Sequence, residues 1–156
     1  MALRTILTDK EPVLRKISRE VTSFDDRLHS LLDDMKETLE YAQGIGLAAP
    51  QVGILRRVFI IIEPETLEYT EFINPEILET SGEQEYNEAC LSVPGYSGVT
   101  KRPAKVKIKA YDRNGKPFER TYEEVLAVAM CHESDHLDGK LYTDIVEGEL
   151  IKIEEL

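Results

Sequence analysis

The stretch Cys131-His132-Glu133-Ser134-Asp135-His136 carries two of the chain's three histidines, four positions apart. On a helix that spacing puts both imidazoles on one face, a turn from each other. Two imidazoles so placed can share one metal ion, and the glutamate between them can reach a water on that metal. The residues before them read as helix. Val125, Val128 and Ala129 form an apolar stripe, Thr121 with Glu124 offers a capping box, and Gly139 stands where a helix ends in a left-handed residue. The plain alternative is an amphipathic helix with two surface histidines.

A metal site of this kind needs a third ligand. Cys131 adjoins His132, so on a helix it points about 100° away, and a small buried apolar role suits it. Cys90, in Glu88-Ala89-Cys90-Leu91-Ser92, completes a His₂Cys set with an open fourth position, the arrangement of hydrolytic metal centres. Taken alone, Cys90 reads as a structural cysteine at a strand end. His29 falls inside a helical pattern and receives no role.

The elements that must position these residues read as follows. Residues 25–42 form an amphipathic helix, with Leu28, Leu31, Leu32, Met35 and Leu39 on one face, Ser23 as N-cap and Gly44 as the stop. Gly44-Ile45-Gly46-Leu47-Ala48-Ala49-Pro50-Gln51 is a small-residue connection from helix to strand, and Gln51 is its one long polar side chain. Residues 57–62 make a central strand and 69–73 its neighbour, ended by Asn74-Pro75, with another strand from Glu76. Asp9 to Leu14 reads as a turn and a short extended piece, and 83–87 as polar chain. Residues 104–121 make a hairpin around Asp112-Arg113-Asn114-Gly115, and Leu150–Ile153 a last edge strand. These elements predict one α+β domain over residues 1–156: mostly antiparallel strands around the His-Glu-x-x-His helix, with a second, N-terminal helix.

Net charge is −11, which argues against a nucleic-acid partner. The run Lys101, Arg102, Lys105, Lys107 and Lys109 alternates with Val106 and Ile108, as a solvated strand face does. No stretch approaches the roughly 18 apolar residues of a membrane span. Two cysteines are too few for a disulfide scaffold. A cytoplasmic protein, monomeric and away from membranes, is expected.

Three stretches together resemble the peptide deformylases, whose motifs have the form G-φ-G-φ-A-A-x-Q (φ apolar), E-G-C-L-S and H-E-x-D-H. Residues 44–51, 88–92 and 132–136 match in order and spacing, with Ala89 where the family has glycine. The resemblance implies removal of the formyl group from N-terminal formylmethionine of nascent polypeptides, with release of formate. It implies Fe²⁺, with Ni²⁺, Co²⁺ or Zn²⁺ as substitutes, held by Cys90, His132 and His136. Glu133 would be the general acid/base acting on metal-activated water, and Gln51 and the Leu91 N–H the donors to the formyl oxygen. Gly44, Ile45, Gly46, Glu88 and Ala89 would meet the substrate, and Val128 and Ala129 would wall its methionine pocket. Asp135 is expected to pair with Arg102. Some relatives dock on the ribosome through a C-terminal helix; here the chain stops after Glu154 and Glu155, and a transient ribosome contact stays an open expectation. Two rivals stand beside this one. A zinc endopeptidase would take Glu155, 19 residues past His136, as its third ligand, and a non-catalytic binding module has Ala89 as its one hint.

Overall fold

The computed structural model describes residues 2–153. Among the described residues, eight strands form two antiparallel sheets, and two α-helices pack on them. The larger sheet runs in the order β1 (Gly46–Ala48), β2 (Val58–Ile62), β3 (Tyr69–Ser81), β6 (Lys105–Tyr111), β7 (Pro117–Glu123). The smaller runs β4 (Gln84–Cys90), β5 (Val93–Arg102), β8 (Glu147–Lys152).

Side chains of a strand alternate between faces, and β2 is apolar on both. Val58 and Ile60 pack on helix α1 (Asp26–Ala42), while Phe59 and Ile61 join the cluster under helix α2 (Glu124–Leu137). All five apolar positions expected on α1 are buried. Phe59 stacks on Phe72 at 4.8 Å between ring centroids. Helix α2 lies where the sheets meet, against β1, β2, β6 and β7 on one side and β4 and β5 on the other.

Several local expectations are corrected. Asp25, not Ser23, caps α1, because only its carboxylate reaches the third helical residue, accepting from Leu28 N at 3.1 Å. The helix ends on Gln43 in the left-handed region, one residue before Gly44. Thr121 is spent in the β6–β7 ladder opposite Lys107, so α2 starts without the Thr121–Glu124 box, and Glu124 N donates to Ala104 O instead. Asn74-Pro75 does not end β3. The irregularity is absorbed as a bulge, and the Asn74 side chain bonds both Val21 N and Val21 O. Pro12–Arg15 is a 3-10 turn rather than extended, as proline's fixed φ permits at a helical start. The polar residues 83–87 enter strand β4.

Other expectations hold. Gly139 has φ 74, and a Cβ there would lie 2.5 Å from Arg15 O. The lysines of β6 face Glu76, Glu119 and Glu123 across the ladders, a solvated charged face, but Arg102 of the same expected run is buried on β5, because its guanidinium pairs with the buried Glu88. No described helix is long and apolar enough to cross a membrane. Glu155 lies outside the described residues.

Candidate active site and metal centre

The β4–β5 hairpin delivers Cys90 and α2 delivers His132 and Glu133 to the lining of a cavity of about 450 Å³, with His136 buried one helical turn further along α2. Ligand atoms of Cys90, His132 and His136 all lie within 4.8 Å of one another. Cys90 Sγ is 3.4 Å from His136 Nε2. Metal–sulfur and metal–nitrogen bonds of about 2.3 and 2.0–2.1 Å, at a tetrahedral angle, would separate such atoms by about 3.5 Å. The donor set therefore fits a divalent metal. Burial and the neighbouring His132 charge hold His136 well below the ordinary imidazole range, leaving a neutral ring with a lone pair to give.

His132 is oriented from behind. Its Nδ1 donates to Glu88 Oε1 at 2.7 Å, which turns Nε2 to the site. Glu88, expected among the substrate contacts, borders the cavity but is only 2 % exposed, and its carboxylate is committed elsewhere. It accepts from His132, from Thr100 Oγ1, and from Arg102 Nε and Nη2 at 2.7 and 3.1 Å. Burial alone would raise its pKa; the hydrogen bonds from His132 and Arg102, with the Arg102 charge, outweigh it and lower it to about 2. Arg102 Nη1 also donates to Asp135 Oδ2 at 2.8 Å, the pair expected from the sequence. Tyr142 is buried and stacks on the His132 ring at 6.0 Å.

Glu133 is 4 % exposed, and its Oε1 has no hydrogen-bond partner. Burial, then the charges of Glu88 and Asp135, push its carboxyl up to about 7 against the opposing His132. Gln51 sits at the end of a 3-10 turn after β1, fully buried. Its Oε1 accepts from Ala48 N at 2.9 Å, which fixes the amide so that Nε2 donates to Ser92 Oγ at 3.0 Å and points at Cys90 Sγ, 3.7 Å away. Leu91 follows Cys90 at the hairpin tip. Gly44, Ile45, Gly46, Ala89, Val128 and Ala129 all line the cavity. A Cβ on Gly46 would come within 2.7 Å of Glu133 Oε2, so glycine is what lets β1 lie against that carboxyl.

Cys131 lies in the core under α2, and burial raises its thiol to about 11. His29 is far from the centre in role as well as sequence: its Nε2 donates to Arg113 O. Thr100 and Tyr142 were missed from the sequence, and Arg102 was only half seen. A signal for the first and last existed. In a β4–β5 hairpin, Glu88 pairs with Gly98, which puts Thr100 and Arg102 on the same face.

The family model for polypeptide deformylase matches residues 3–150. A peptide deformylase of Alkaliphilus metalliredigens is 54 % identical over 92 % of this chain and 97 % of its own. The crystal structure of peptide deformylase from Thermotoga maritima superposes with a TM-score of 0.90 at 36 % identity, covering 94 % of this chain and 99 % of that one. One from Legionella pneumophila gives 0.89 at 44 %, covering 93 and 86 %. With a matching model along nearly its whole length, and a cluster able to hold a metal where that family's motifs fall, this chain belongs to the polypeptide deformylases, a family of metal-dependent enzymes.

Proposed function

We propose that the chain removes the N-formyl group from the N-terminal formylmethionine of newly made polypeptides in the cytoplasm, releasing formate. The observation that carries this reading is the convergence of Cys90, His132 and His136 beside Glu133, whose Oε1 has no partner, at an apolar-walled cavity that Cys90, His132 and Glu133 line.

Cys90, His132 and His136 would hold the metal, Fe²⁺ on the family resemblance, with Ni²⁺, Co²⁺ or Zn²⁺ as substitutes. When bound, the metal supplies Lewis-acid activation of water near neutral pH. The soft thiolate of Cys90 tempers the metal's charge. Glu133 takes a proton from the attacking water and passes it to the leaving amine. A carboxyl raised to about 7 by burial is matched to both tasks. Gln51 Nε2 and the Leu91 N–H donate to the oxygen of the formyl group as negative charge develops there. Removal of one such donor costs about 3 kcal/mol of barrier. Val128 and Ala129 wall the methionine side chain, and Gly44, Ile45, Gly46 and Ala89 lie along the peptide. Glu88 acts through His132 rather than on substrate, holding its tautomer and aim. Ala89, where the family has glycine, lines the cavity.

The test is formate release from a formyl-methionyl peptide by protein purified without oxygen and loaded with Fe²⁺, beside Glu133→Ala. Turnover lost in the variant at unchanged metal content supports the reading. Absence of turnover in the loaded wild type, with one metal per chain, overturns it.

A further inference from the structure

A second cleft, of about 420 Å³, lies beside the start of α1 and shares no lining residue with the cavity at the metal ligands. Its volume is that of a small-ligand site. Val21, Leu28 and Leu31, all buried, and the half-buried Ile54 give it an aliphatic floor. Arg4, Arg27 and Arg56 stand around it, and Thr22 and Ser23 add hydroxyls.

The charge of these arginines is largely uncompensated. The chain has 30 acidic residues for 19 basic ones, so a partner for an arginine is seldom far. Arg4, Arg15, Arg57, Arg102 and Arg113 each have one. Among the described residues, Arg27 and Arg56 pair with no carboxylate, and neither does Arg19, which meets Arg56 in a parallel bridge just outside the cleft. Like charges set side by side repel, and here the repulsion is left standing. The one described carboxylate that lines the cleft, Asp25, accepts from Leu28 N as the cap of α1, so that helix end is already served by the chain itself.

The walls are fixed by hydrogen bonds. Arg19 N donates to Leu55 O, Arg57 N donates to Arg19 O, and the Asn74 side chain bonds both Val21 N and Val21 O. The segment that carries Arg56 is thus locked to the one that carries Val21, and little ordering is needed to bind a ligand there.

Two guanidinium forks suit the three terminal oxygens of a phosphomonoester, which carries a charge of about −1.5 to −2 at neutral pH. The aliphatic floor suits the organic part of such a molecule. A nucleic acid is disfavoured. Its phosphates would run on over a chain of net charge −11, whereas a single phosphate feels mainly the arginines within a Debye length of about 10 Å.

We infer that the cleft beside the start of α1 binds a small phosphomonoester, with its phosphate between Arg27 and Arg56 and its organic part on Val21, Leu28, Leu31 and Ile54. This site stands apart from the deformylase reading and does not depend on it.

The experiment is calorimetric titration of the Ni²⁺-loaded protein at low ionic strength with adenosine 5′-monophosphate, inorganic phosphate and a six-nucleotide RNA. One mononucleotide per chain is expected to bind with a Kd below about 1 mM, and inorganic phosphate about tenfold more weakly for want of the floor. Arg27→Gln and Arg56→Gln each weaken the mononucleotide about tenfold, the size of one charge-assisted contact. Arg120→Gln, which removes an arginine on β7 that does not line the cleft, leaves its Kd as in the wild type. No saturable heat up to about 10 mM overturns the site. So does binding that survives both cleft variants and is lost in Cys90→Ser, which places the ligand on the metal, and so does equal weakening by Arg120→Gln, which marks a diffuse charge effect. Inorganic phosphate as tight as the mononucleotide overturns the role of the floor, and RNA tighter than the mononucleotide overturns the assignment to a small ligand.

Discussion

Gly46→Ala separates the placement of Glu133 from the stability of the fold. The added Cβ would lie 2.7 Å from Glu133 Oε2 and 2.8 Å from Ile61 Cδ1. Ordinary contact lies near 3.5 Å, so the neighbours have to give by about half an ångström or more. Ile61 is 3 % exposed and packed in the cluster under α2, which leaves the carboxyl as the group that moves. A misplacement of about 1 Å costs about 10²-fold, or 2.7 kcal/mol of barrier. A loss of about 10- to 100-fold in kcat is expected. Stability moves far less. Gly46 is not among the positive-φ glycines, so alanine brings no backbone strain and restricts the unfolded chain, a gain of about 0.4–1 kcal/mol. Overpacking opposes this with about 1–3 kcal/mol. The assay is formate release by the metal-loaded variant, with Tm measured on the same sample. A kcat within twofold of wild type would refute the claim that close approach of β1 sets the position of Glu133. Gly44→Ala makes a useful comparison: its Cβ meets a flexible Leu91 methyl at 2.9 Å, and it loses less.

Four further outcomes are expected. Arg102→Leu leaves the Glu88 carboxylate buried without its cation and destabilises by about 3–5 kcal/mol in urea unfolding; a loss under 1 kcal/mol would show that the pair carries little. Because the Glu88 pKa is lowered from 4.5 to about 2, its contribution is complete above about pH 4.5 and is lost as pH falls toward 2. Metal-free Glu88→Gln should therefore show a shallower acid limb in that window, and equal slopes would contradict it. Cys90→Ser should drop metal content well below one per chain. A chelator should then lower the Tm of wild type but not of the variant, since an ion held by Cys90, His132 and His136 would link β4 to α2. Asp135→Ala should weaken metal binding about tenfold by freeing Arg102 and, through Glu88, His132; an unaltered metal affinity sinks that chain of contacts.

Much of this protein is local and therefore visible in one dimension. The α1 face shows in five apolar residues at helical spacing, and the two-faced apolar run of β2 marks a central strand, because 3.6 and 2.0 are periods that neighbouring residues share. The β6–β7 hairpin shows in its turn, where Asp112 Oδ1 accepts from Asn114 N and Lys116 N, and Gly115 takes φ 82. Strand β4 does not show. Its glutamates and Asn87 have low strand propensity, and it exists because β5 supplies the ladder. For the same reason Asn74-Pro75 looked like an end and is a bulge: the flanking pairings with β2 and β6 hold the strand through it.

The candidate metal-ligand pair His132 and His136 is a matter of one helix turn, so residue types and spacing alone put both rings on one face. Cys90, Gln51 and the three motifs name the remaining parts of the chemistry, but no spacing rule says that they meet. Only the folded chain sets Cys90 Sγ 3.4 Å from His136 Nε2 and turns Gln51 Nε2 toward it. Glu88 belongs to the same class: the family resemblance implied a substrate contact, and its burial between Thr100, Arg102 and His132 makes it a support. The reason is physical. Covalent neighbours and helical turns act over a few residues, whereas the charge balance of a buried carboxylate depends on partners 12 and 14 positions away that arrive with the β4–β5 ladder, and on one 44 positions away that arrives only when α2 packs on that hairpin.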